Sequence, residues 1–88
     1  MFTVLLSNKA KKGLTTLEPG IHSRATELLR VLEQSPVPAK QYDLTKIAGR
    51  EATYRVRLSR FRISYRVDWQ SRHVNVLKIE RRSETTYA

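Results

Sequence analysis

The chain has 88 residues, of which 40% are apolar and 28% charged, and seventeen lysines and arginines against eight acidic residues leave a net charge of +9. That length supports one domain, residues 1–88, whose thin core buries about 60–65% of the surface an unfolded chain exposes; the ordinary apolar fraction argues against wholesale disorder. The absence of cysteine excludes disulfides and cysteine-held metals, and no apolar run approaches the roughly 20 residues that cross a bilayer, so the chain reads as soluble and cytoplasmic, with no membrane partner.

"FTVLLS", residues 2–7, is short, apolar and partly β-branched, and predicts a first strand; the opening is too brief for a signal-peptide core and lacks a basic start. Ser7 or Asn8 is placed to cap a helix over residues 8–17, where Ala10, Leu14 and Leu17 recur at helical spacing. Gly13 weakens that helix by roughly 1 kcal/mol relative to alanine. Pro19 and Gly20 are expected to break it. Residues 21–35 set Ile21, Ala25, Leu28, Leu29 and Leu32 on one stripe, with Arg24, Glu27, Arg30 and Glu33 away from it, which predicts a second helix. Pro36 and Pro38 stop it.

From Tyr42 onward the period changes. Residues 42–49, "YDLTKIAG", read as a strand entering a turn at Gly49. Residues 52–58 and 61–68 alternate apolar and polar, and predict a hairpin joined by Ser59 and Arg60. "DWQSR" makes another turn. "HVNVLKIE", residues 73–80, gives a last strand with Val74 and Val76 on one face and Leu77 and Ile79 on the other, the pattern of a central strand covered on both sides.

The order β-α-α-β-β-β-β predicts an α+β fold: a small antiparallel sheet with two N-terminal helices packed on one face. The other face of the hairpin then carries Arg55, Arg57, Arg62 and Arg66. Like charges on neighbouring strands repel, so this cluster becomes favourable when an anion arrives. Residues 50–82 hold nine arginines and Lys78 against Glu51, Asp68 and Glu80, a surplus of seven positive charges. Such asymmetry points to a polyanion, and guanidiniums at strand period suit bidentate contact with phosphate.

Other constellations carry less. His22 and His73 lie in no local catalytic motif and read as solvent-exposed. Metal ligands are few and scattered, and no Gly-rich phosphate loop is present, so neither metal nor cofactor is expected. Trp69 is expected to cover the end of the core, with Tyr54, Phe61 and Tyr65 packed inside it. Lys9, Lys11 and Lys12 read as a wet helix face.

Together "LLRVLEQSPVP" (28–38), "KIAG" (46–49), "YRVRL" (54–58), "FRISY" (61–65) and "RRSETTY" (81–87) resemble the RelE/ParE toxins of bacterial and archaeal toxin–antitoxin systems. The resemblance implies a metal-independent endoribonuclease that cuts mRNA in the ribosomal A site, the ribose 2′-hydroxyl attacking the adjacent phosphate. It carries over Arg55 and Arg57 from the first hairpin strand, Arg62 from the second, Arg81 or Arg82 from the end of the last strand, and Tyr87. Lysines often stand in the family where this chain has Arg55 and Arg57. Arginine keeps its proton, so the resemblance leaves the general base open, with Tyr87 either in that role or stacked on a base. It further implies RNA contacts from Lys46, Arg60, Arg66, Lys78 and Arg82, and a RelB-like antitoxin wrapping the toxin. A ParE-like gyrase binder, or an RNA-binding domain that does not cut, stays open beside it.

Overall fold

The computed structural model describes residues 1–81. Its elements follow the expected order: β1 (Thr3–Leu6), α1 (Asn8–Thr15), α2 (Pro19–Gln34), β2 (Asp43–Lys46), β3 (Thr53–Leu58), β4 (Phe61–Asp68) and β5 (His73–Arg81). The strands form one five-stranded sheet in the order β1-β5-β4-β3-β2. β2 through β5 pair antiparallel. β1 departs from the expected all-antiparallel arrangement and runs parallel to β5, with Thr3 opposite His73 and Leu6 opposite Val76. Alternation specifies a strand's faces and not its direction, which is why this pairing is silent in the residues alone.

Both helices lie on one face. Ala10 of α1 and Ala25, Leu28 and Leu32 of α2 pack on Val56, Leu58, Ile63, Val67, Val74 and Val76, with Leu17, Tyr65 and Ile79 completing the core. Each large apolar side chain so buried contributes about 1.5–3 kcal/mol relative to exposure. Tyr65 is fully buried, and its hydroxyl donates to the Pro36 carbonyl at 2.8 Å, which anchors the proline segment after α2. Trp69 is 54% exposed and meets Phe2 edge-on at 5.4 Å.

Three local features set the helices. Ser7 caps α1: its Oγ accepts from the Ala10 N–H and donates to the Leu77 carbonyl at 2.7 Å. Gly13 passes so close to the Ile79 carbonyl that a Cβ there would strike it, so the residue that weakens the isolated helix is what lets α1 reach the sheet. Pro19 and Gly20 do not break the first helix, which already ends at Thr15; both belong to α2. Pro19 is the first residue of α2, a position where its missing N–H costs nothing.

A β-bulge interrupts the pairing of β4 with β5. Tyr65 faces Val76 while the adjacent Ser64 faces Lys78, leaving Leu77 as the extra residue. The bulge resets the alternation, so Val74, Val76 and Ile79 are all buried on the helix side. The expectation that Ile79 shares Leu77's face is corrected by this one-residue slip. Among the described residues no helix is long and apolar enough to cross a membrane.

Candidate nucleic-acid interface

On the face away from the helices, the register builds two rows across four strands. Asp43, Arg57, Arg62 and Glu80 form one; Thr45, Arg55, Ser64 and Lys78 form the next. Side chains directly opposite in such rows stand about 4.5–5.5 Å apart at Cβ. Arg57 and Arg62 are therefore forced together, with a carboxylate at each end of their row to offset the repulsion.

Ion pairing is unequal. Arg57 Nε meets Asp43 Oδ2 at 3.2 Å, which leaves its two terminal nitrogens for other acceptors, and Lys78 Nζ meets Glu80 Oε2 at 3.3 Å. These pairs are well exposed and contribute about 1 kcal/mol at most. Among the described residues Arg55 and Arg62 are in no ion pair. Arg55, Arg57 and Arg62 line an open cavity of about 190 Å³ with Asp43 and Thr45. A second cavity, about 410 Å³, shares Arg55 and Arg62 with it and extends over Ser64, Leu77 and Lys78 to Lys9 of α1. Three guanidiniums around one small hollow are suited to a phosphate.

The other residues singled out above are dispersed. Arg66 lies on the same face, exposed, opposite Thr53 and Asn75. Lys78 joins the second cavity. Lys46 sits opposite Tyr54, whose ring packs on the core, and so belongs to the helix side. Arg81 does too: it faces Phe61 and lines a recess of about 320 Å³ with Arg60 and Glu18. The slip that brings Lys78 and Glu80 to the arginine face takes Arg81 away from it. Arg82 and Tyr87 lie outside the described residues. His22 is exposed, and His73 Nδ1 lies 2.8 Å from Ser71 Oγ. No group of three or more His, Cys, Asp or Glu side chains among the described residues could hold a metal ion.

Asp43, Thr45 and Glu80 were not singled out as site residues from the sequence. Asp43 and Thr45 alternate with Leu44, a signal that places them on the open face. Leu77, next to Val76, carries the same signal; Glu80 does not, because alternation would set it on the face of Val76 and a bulge has no signature in apolar periodicity.

No family model matches the chain. It is 33% identical over 81 residues to RelE1, a candidate toxin of Methanocaldococcus jannaschii, across 92% of this chain and 90% of that one. The chain belongs to the RelE toxin family. The solved RelE–RelB complex of Pyrococcus horikoshii contains a chain 29% identical to this RelE-family protein, with a TM-score of 0.85 over 96% of this chain and 98% of that one. The isolated RelE toxin of Escherichia coli, at 19% identity, shares the fold with a TM-score of 0.82 over 98% of this chain and 89% of its own. The α+β architecture is thus the RelE fold, parallel edge strand included in this member.

Proposed function

We propose that this RelE-family chain is the toxin of a toxin–antitoxin pair and a metal-independent endoribonuclease that cuts mRNA in the ribosomal A site, in the cytoplasm. The observation that carries the reading is the convergence of Arg55, Arg57 and Arg62 on one open cavity. In the reaction the ribose 2′-oxygen gives up its proton and forms a bond to phosphorus. The bond from phosphorus to the 5′ oxygen breaks, and that oxygen takes a proton, leaving a 2′,3′-cyclic phosphate and a 5′-hydroxyl. Negative charge builds on the non-bridging oxygens as the bond forms. The three guanidiniums stabilise that charge and hold the phosphate in place.

Arginine does not serve as the base, since it keeps its proton at any physiological pH. The family resemblance gives Tyr87 that role, or a stacking role beside the scissile bond, and gives Arg82 a further phosphate contact. Arg60 and Arg81, on the helix side, meet RNA outside the cavity. A RelB-like antitoxin is the partner: the solved relatives include a RelE–RelB complex, and an acidic segment laid on the arginine face would block it.

Primer extension on a translated message after brief expression tests this. New 5′ ends at codon-defined positions are expected, and Arg62→Ala is expected to lower cleavage by roughly 10²–10³-fold while the protein stays folded. An intact message beside arrested growth would refute the nuclease reading and leave a gyrase-binding or RNA-binding toxin.

A further inference from the structure

We propose that the larger cavity seats the nucleobase next to the scissile phosphate, and that Leu77, which lines it at the β-bulge, forms its apolar wall. The inference rests on the RNA-cutting reading and adds to it the part of the substrate that the second cavity takes.

The two cavities differ in chemistry. The smaller is lined by charged and hydroxyl side chains alone. The larger has two apolar members, Leu77 from β5 and Ile47 from the turn between β2 and β3, among cations and hydroxyls. In a ribonucleotide the base lies beside its phosphate through the sugar, and the cavities adjoin in the same way, with Arg55 and Arg62 common to both. An apolar side chain gains nothing by facing phosphate. A base offers it a flat π face, a contact that every base can make.

Polar groups lie where a base edge needs them. Ser64, only 3% exposed, lies opposite Lys78 in the sheet and lines the same cavity. The Lys78 ammonium and the Glu80 carboxylate stand side by side at 3.3 Å, a donor next to an acceptor, as donors and acceptors alternate along a base's pairing edge.

The bulge is what makes this seat. In a regular β5 Leu77 would stand opposite Ser64 and Ile79 opposite Arg62, an open face with two apolar side chains. The inserted residue keeps Leu77 beside the cavity, brings Lys78 and Glu80 to that face and returns Ile79 to the core. Bulges recur next to active sites because they re-aim side chains in this way. This one is clamped: the Ser7 N–H donates to the Val76 carbonyl at 3.0 Å and Ser7 Oγ donates to the Leu77 carbonyl at 2.7 Å. The cap of α1 therefore holds Leu77 in position.

The test is single-turnover cleavage on ribosomes carrying synthetic messages, one ordinary and one with an abasic ribonucleotide beside the scissile phosphate. Leu77→Ser is expected to slow cutting of the ordinary message by about tenfold or more, and the abasic message to slow the wild-type protein by a similar factor. Combining the two should add no further loss, because wall and base are one contact. Ile47→Ser, which leaves β5 untouched, is expected to show the same coupling and decides the matter if Leu77→Ser does not fold. Losses that multiply, or wild-type rates for both variants on the ordinary message, would overturn the base seat while leaving the nuclease reading intact. A wild-type protein that leaves both messages whole would overturn the nuclease reading and this inference with it.

Discussion

Arg57 and Arg62 face each other across the hairpin, an arrangement that an anion makes favourable and that Asp43 only partly offsets. Asp43→Asn removes a negative charge from the smaller cavity. It should tighten binding of a short single-stranded RNA by roughly two- to tenfold, measured by fluorescence anisotropy, while costing about 1 kcal/mol or less in urea unfolding. The opposite signs of the two effects separate a functional cost from a structural gain. Tyr65 gives a pH test. Burial, and then the neighbouring Tyr54, raise its pKa well above the ordinary 10.0, and burial raises that of Tyr42 as well. The unfolded chain therefore loses these protons before the folded one does. Stability is fully present below about pH 10 and falls as pH rises beyond it, so the urea midpoint should hold up to about pH 10 and drop steadily above it. Tyr65→Phe should flatten that alkaline loss, but at neutral pH it leaves the Pro36 carbonyl unpaired at a cost of about 1–3 kcal/mol. At this scale the arginines of the hairpin were legible, because period-two alternation assigns a face. Lys46 carried the same signal through Leu44, and a charge in a basic chain was read as RNA-facing regardless.

Among the elements, β3 and β4 came through within a residue of the expected bounds, since a two-residue turn between alternating strands leaves little freedom. Ser59 opens that turn at φ 56°, a left-handed conformation that costs a side-chain-bearing residue about 1–2 kcal/mol. Ser59→Gly should accordingly raise stability by up to about 1 kcal/mol, read from the urea midpoint. Gly13→Ala should do the reverse of what helix propensity predicts. Propensity favours alanine by roughly 1 kcal/mol, yet the added Cβ meets the Ile79 backbone, so a net loss of about 1–3 kcal/mol is expected. What could not be read was the phase of β5. Val74, Val76, Leu77 and Ile79 are compatible with a strand covered on both sides, and only the pairing with β4 reveals that an inserted residue returns Ile79 to the core.

For the molecule as a whole, a charge of +9 together with the proposed function predicts an RNA affinity that falls steeply with salt. Each phosphate contact on a single strand contributes a slope of about −0.7 in log affinity against log salt, so Arg55→Ala with Arg57→Ala should flatten the plot by about 1.4. An unchanged slope would mean that those guanidiniums do not meet the backbone. The fold class and element order were legible because a short apolar strand opens the chain and the hydrophobic period then shifts from helical to alternating at Tyr42. The parallel union of β1 with β5 was not, and it has a consequence for how the protein is born. The N-terminal strand has its partner some 70 residues downstream, Thr3 beside His73, so it must wait unpaired while almost every other element emerges. Lys78, Leu77 and Glu80 arrive with that late partner. Under the proposed function, a nascent chain would be unable to complete the surface that holds RNA until β5 has left the exit tunnel, which would spare the translating machine from an enzyme assembled too early.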